Sequence, residues 1–317
     1  MLAYRGAFLL ALSFFIANVS AQTKTPRVAV EHYERGNNKL QQDDLDGAIM
    51  ELSQAIDISS HLEQPLANNS LSQANGFAGS AGETSEIAVI DPFTANAYTS
   101  RGLARMRKGD VDGALLDWDR AIRINPGLAV AYLDRGCGRY AKGDQAGALS
   151  DWNRALTINP RLTSAYSNRG GLREELGDHE NAIADLNRSV SLDPHNPIPY
   201  CHRGFAWLDK KDWQRAISDF DSAIKLDTAM AWAYQGRGTA RMSLYDLDSA
   251  IADFSRAIEL KPGIVNAYMN RGLALLLQAK DSEARKDFAR ALALKPGIKD
   301  ELDGRIKLAE GLRADRH

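Results

Sequence analysis

Six histidines and two cysteines are the side chains in this sequence best equipped for metal or nucleophile chemistry. They are His32, His61, His179, His195, His202 and His317, with Cys137 and Cys201. A zinc site draws its ligands from pairs such as Cys-x-x-Cys or His-x-x-x-His, whose spacing turns both toward one ion. No such pair occurs. The tightest grouping is His195, Cys201 and His202. Asp193-Pro194 ends a helical run just before it, which puts His195 in a connecting loop and the other two on the next helix. That spacing matches no structural zinc pattern, so no metal ligand is assigned. No nucleophile stands with a base, and no glycine-rich loop is built to cradle a phosphate. No catalytic residue and no cofactor is assigned, and the chain reads as a non-enzyme.

The charged residues carry a different signal. Arg101, Arg135, Arg169, Arg203, Arg237 and Arg271 stand 34 residues apart. Asp117, Asp151, Asp185, Asp219, Asp253 and Asp287 keep the same step, each 16 after its arginine. Bidentate Arg–Asp pairs at those places would form a ladder that fixes helix orientation. The alternative is solvated charges worth about 0–1 kcal/mol a pair.

The same step governs the elements that must position these charges. Gly102, Gly136, Gly170, Gly204, Gly238 and Gly272 follow the arginines directly. Tyr98, Tyr132, Tyr166, Tyr200, Tyr234 and Tyr268 precede those glycines by four. An alanine column begins at Ala114, and a bulky column runs Trp118, Trp152, Leu186, Phe220, Phe254, Phe288. A proline column breaks only at Thr228. A fixed period of this size means stacked supersecondary units. The pattern Tyr-x-x-Arg-Gly, Gly-Asp-x-x-x-Ala, Asp-[Trp/Phe]-x-x-Ala-Ile, Asn/Asp-Pro resembles the tetratricopeptide repeat. That family usually carries Leu before the glycine, where this chain has Arg throughout.

Within a unit, apolar and small residues recur three and four apart on both sides of a Gly-Asp break, which predicts two amphipathic helices and a tight turn. Glycine at Gly109, Gly143 and Gly177 suits a left-handed helix end. The following aspartate suits the next helix's N-cap. The fold class is therefore all-α, an α-solenoid. The resemblance implies a right-handed superhelix of stacked antiparallel hairpins. Six units occupy 92–296, and a C-terminal capping helix with its tail occupies 297–317. In the cap, Ile298, Leu302, Ile306, Ala309 and Leu312 share a face. A divergent first copy spans 22–59, with His32 in the tyrosine column. Residues 60–91, rich in Ser, Asn, Gly and Ala, read as a loop or insert, or as a decayed repeat of near-unit length.

Residues 1–21 read as a secretory signal. Arg5 precedes an apolar run to Ala17, and Val19-Ser20-Ala21 offers small residues for cleavage. An uncleaved anchor is the alternative, although the run is short for a bilayer. The expected location is periplasmic or secreted, with no stable membrane insertion after cleavage. Net charge −2 leaves no basic footprint for nucleic acid. Cys137 and Cys201 lie two units apart. At about 10 Å per layer they are too distant for a disulfide.

Family members bind extended peptides or helices on the face lined by each unit's first helix. By that resemblance the inward places are six and three before the glycine and one and four after it. These give a candidate groove of Val130, Leu133, Cys137, Tyr140, Phe205, Leu208, Trp232, Met269, Leu273 and Leu276, with Met242 beside them. An exposed apolar surface of this kind marks an interaction site; the alternative is that these side chains pack on each other. The expected function is an exported scaffold or adaptor holding a protein or peptide. The second reading is a structural part of an envelope secretion, pilus or polysaccharide-export assembly. The oligomeric state is left open.

Overall fold

The computed structural model describes residues 25–61 and 92–314. The signal read at 1–21 and residues 62–91 of the insert lie outside them. Helix is continuous through His61, so the first copy runs two residues past its expected end. The described residues hold fifteen α-helices and no strand. They are α1 (Arg27–Gln41), α2 (Leu45–His61), α3 (Pro92–Lys108), α4 (Val111–Ile124), α5 (Ala129–Ala141), α6 (Gln145–Ile158), α7 (Thr163–Glu175), α8 (His179–Leu192), α9 (Pro197–Asp209), α10 (Trp213–Leu226), α11 (Ala231–Ser243), α12 (Leu247–Leu260), α13 (Val265–Leu277), α14 (Asp281–Leu294) and α15 (Lys299–Ala314). A 3-10 turn, Pro296–Ile298, leads into α15. The chain divides into two compact units, Met1–Ala165 and Tyr166–His317.

Each odd-numbered helix from α1 to α13 opens a hairpin that the next helix closes. The turns explain why the chain reverses where it does. Gly109, Gly143 and Gly177 have φ of +93°, +81° and +79°. Lys211, Tyr245 and Ala279 hold the same left-handed place at φ of +59°, +68° and +58°. Glycine takes this conformation freely, and other residues take it at some cost. The backbone bonding is unchanged by the substitution. Asp110 N–H donates to the Arg105 carbonyl, and Asp246 N–H to that of Arg241, each at 2.9 Å. The aspartate then caps the second helix. Asp110 and Asp144 each accept from the backbone N–H three residues on at 2.9 Å, and Asp212 does so at 3.1 Å. Asp178 is the exception: its carboxylate takes the Asn181 side-chain amide instead.

Packing within a hairpin turns on the glycine column. A Cβ at Gly136 would lie 2.5 Å from Trp152 Nε1, and one at Gly272 would lie 2.5 Å from Phe288 Cε1. An edge of the second-helix ring abuts the backbone of the first, where the Trp118 and Trp152 indole N–H groups donate to the Thr99 and Leu133 carbonyls at 3.3 and 3.2 Å. The ring also reaches the following hairpin: Trp118 meets both Gly102 and Gly138, and Phe220 meets both Gly204 and Gly236. At these two places the bulky residue thus fills its own hairpin and the seam to the next. The divergent first copy joins the same stack. Phe93 of α3 packs on Ala29 and Ala55, with Tyr33 edge-on to its ring at 5.3 Å.

The arginine column forms the ladder. In all six pairs Nε donates to Oδ2 at 2.7–3.0 Å and Nη2 to Oδ1 at 2.6–2.8 Å. All six carboxylates are buried. Each guanidinium also lies 5.2–5.9 Å from the centre of its own unit's column tyrosine ring. That stacking accounts for the tyrosines. Several arginines use a third N–H on the preceding hairpin: Arg135 on Asp119, Arg203 on Asn187, Arg237 on Asp221 and Arg271 on Ser255. Burial alone would lower the Arg135 pKa, but the hydrogen bonds it donates to Asp151 and Asp119 outweigh that and hold the value above the arginine norm. Arg237 behaves alike through Asp253 and Asp221.

Removing one partner of such a pair leaves an uncompensated buried charge. Asp253→Ala is expected to lower stability by about 3–5 kcal/mol. Arg237→Met with Asp253→Leu should recover much of that loss, because no charge is then stranded. Urea denaturation followed by circular dichroism measures both; an unchanged midpoint in Asp253→Ala would make the ladder ornamental.

Candidate protein-binding faces

Each unit has its own face of first helices. In the first unit α1 touches α3, and α3 touches α5. In the second, α9 touches α11, α11 touches α13, and α13 touches α15. Among the described residues, no second helix makes comparable contact with the next second helix. First helices therefore crowd together on the inner side of each unit.

The ten candidate residues fall into distinct groups on these faces. In the first unit, Leu133 is buried, Val130 and Cys137 are half-buried, and Tyr140 is 40% exposed. The Tyr140 ring lies 6.3 Å from that of Trp152, tilted against it. In the second unit, Phe205 and Leu208 are half-buried against the cluster around Phe220. Phe205 meets the Phe220 ring edge-on at 5.1 Å. Trp232 is 45% exposed, with Lys261 Nζ 5.0 Å from its ring centre.

Met269, Leu273 and Leu276 are not presented to a partner. They are buried in one cluster with Ile298, Leu302 and Ala309 of the C-terminal turn and helix, and Ile306 packs against it. The capping helix occupies the surface that the next first helix would otherwise cover. Leu312, expected on its buried face, is 46% exposed. The repeat opened by α7 places Ser167, Gly171 and Glu174 at its inward positions and is polar there. His202 packs over Gly171, and its Nδ1 lies 3.8 Å from Glu174 Oε2.

A polar row also runs across the second unit's face. The Gln235 side-chain amide donates to Thr239 Oγ1 at 3.0 Å, and Asn270 Nδ2 donates to the same oxygen at 3.2 Å. Arg305 Nη2 donates to Asn270 Oδ1 at 2.7 Å. Gln235 and Thr239 occupy inward places of the repeat, three before and one after Gly238. A search for apolar residues passes over them.

Neither cysteine is in a disulfide. Burial and the nearby Glu174 charge push the Cys201 thiol up to about 12, so it is a poor nucleophile. Among the described residues no group of three metal-binding side chains converges. No helix among them is long and apolar enough to cross a membrane.

Comparison with known proteins agrees with the repeat pattern. Two family models, both described as tetratricopeptide repeat, match residues 163–196 and 236–297. A tetratricopeptide repeat protein from Parabacteroides merdae is 19% identical at a TM-score of 0.58, covering 90% of this chain and 100% of its own. Pseudomonas aeruginosa pilF is 17% identical at 0.58, covering 64% and 92%. MamA is 30% identical over 54% of this chain and 94% of its own, with a TM-score of 0.45. At 17–19% identity the likeness is one of fold. No curated protein matches the chain.

One buried acid on the first unit's inner helix has a measurable consequence. Asp134 of α5 is 4% exposed, and burial raises its pKa to about 7. The folded chain keeps this proton to higher pH than the unfolded chain does. The associated stability is full below the ordinary carboxylate value of about 4 and is lost as pH rises through about 7. Stability should therefore fall by on the order of 2–4 kcal/mol between about pH 5 and pH 8, and Asp134→Asn should flatten that fall. Urea midpoints across the pH range would show it; parallel profiles for the two proteins would mean that Asp134 does not titrate there.

Proposed function

The chain is a tetratricopeptide repeat protein, and from that premise we propose that it is an exported, non-catalytic scaffold that holds a segment of another protein on its first-helix faces. One observation carries the reading. Tyr140 and Trp232 stand 40% and 45% exposed at inward places of the repeat, while the bulky aromatic column is buried. Aromatic side chains that remain open on a rigid face are the usual anchors of protein interfaces. Helices buried against one another hold them in place, so little ordering entropy is lost on binding. The scaffold works by presenting surface rather than by chemistry.

Export rests on residues 1–21, with their apolar run and small-residue cleavage site. The exported form then begins at Gln22. Each unit's contact surface is smaller than its apolar sequence positions imply: Val130, Cys137 and Tyr140 on the first, and Phe205, Leu208 and Trp232 on the second, while Leu133, Met269, Leu273 and Leu276 serve the core.

Capture from the exported fraction of the native cell tests this. Mass spectrometry should find a mature N-terminus at Gln22. Immobilised wild-type protein should retain a dominant protein that Tyr140→Ser or Trp232→Ser loses, with circular dichroism unchanged. Leu116→Ser, on an exposed place of α4, should retain it. The opposite pattern would move the contact to the second-helix side and favour a fixed component of an envelope assembly.

A further inference from the structure

We propose that the face shared by α11, α13 and α15 reads a carboxylate: Arg305 receives an Asp or Glu side chain of the bound protein segment. This rests on the protein-binding reading above and names part of what that segment must contain.

Arg305 differs from the ladder arginines. Each of those is held by a buried aspartate through two hydrogen bonds, as in Arg271 with Asp287. The carboxylate nearest Arg305 is Glu301, 3.8 Å away, one turn back on the same helix and 62% exposed. The firm contact is with a neutral group, the Asn270 carbonyl oxygen. Burial lowers the Arg305 pKa, whereas four of the ladder arginines are raised. The guanidinium is partly desolvated, carries five N–H donors and spends one on Asn270. A carboxylate is the complement that geometry and charge leave open.

The row behind it is built to hold that orientation. Thr239 gives its own proton to the Gln235 backbone carbonyl at 3.0 Å and accepts from two side-chain amides. That fixes which end of Asn270 faces Arg305, since the reverse would set an NH2 against a guanidinium. One cation, with the exposed Glu301 carboxylate already beside it, suits a singly charged carboxylate better than a phosphate. Trp232 lies three residues before Gln235 on the same face of α11. From α11 to α15 is two helix layers, roughly 20 Å, or about six residues of extended chain. The segment should then carry an apolar residue for Trp232 and an acidic one for Arg305 at about that separation.

The test is a selection on the full exported protein, using a random peptide library displayed as internal inserts that offer no free carboxyl terminus. Selected peptides should share an Asp or Glu about six positions from an apolar residue. Replacing that residue by its amide should weaken binding about tenfold or more. Arg305→Gln should erase the difference between acid and amide peptides. Asn270→Asp supplies the guanidinium with an internal carboxylate of the same shape and should erase it too, without removing the arginine. Enrichment of acid-free peptides would overturn the inference and leave the protein-binding reading standing. So would an acid preference that survives both variants, or binding only by peptides with a free terminal carboxylate. No enrichment of any peptide would overturn both.

Discussion

A buried arginine–aspartate pair, repeated at one step along the chain, is the interaction on which this architecture depends. Its geometry leaves the two helices of a hairpin little freedom. Two parallel hydrogen bonds set both the height and the rotation of one helix against the other. The ring of the column tyrosine then flanks the guanidinium. A pair of this kind adds specificity more than net stability, because desolvation of both ions cancels much of their attraction. The stabilising bulk comes from the aromatic column and the alanines around it.

The turns show what else the helices require. Glycine is replaced by Lys211, Tyr245 and Ala279 in the later hairpins, yet the left-handed geometry and its backbone bonds persist. The hairpin is therefore held by its packed interior, and the turn residue follows. Local propensity and tertiary demand agree in the first hairpins of the regular array. In the later ones tertiary demand prevails.

Much of this was legible in the sequence because it repeats. Six copies of Arg, Gly and Asp at one step left little room for another reading. Position set Arg101 level with Asp117 and Arg271 level with Asp287, but only the packing around them decides that these charges are buried and paired rather than solvated. The binding face was less legible. Whether an inward residue is open depends on what packs beside it, and for Met269, Leu273 and Leu276 that neighbour is α15. Its facing was half-readable: Leu302 and Ala309 are buried as their spacing implies, but Leu312 is exposed. The row of Gln235, Thr239, Asn270 and Arg305 was hidden for another reason. Its members belong to three helices, and none stands out from ordinary surface polarity by itself.

The third N–H of the ladder arginines gives the stack a direction. Within the second unit, Arg237 reaches back to Asp221 and Arg271 reaches back to Ser255. A hairpin that detaches from the C-terminal side takes its arginine with it. What remains behind is a half-exposed aspartate or serine that water satisfies. A hairpin that detaches from the N-terminal side leaves a guanidinium that keeps both hydrogen bonds to its own hairpin's aspartate and turns only its third N–H to water. The two sides of such a seam are therefore chemically unlike once it opens, a carboxylate or hydroxyl on one and a guanidinium N–H on the other, although the repeats look alike.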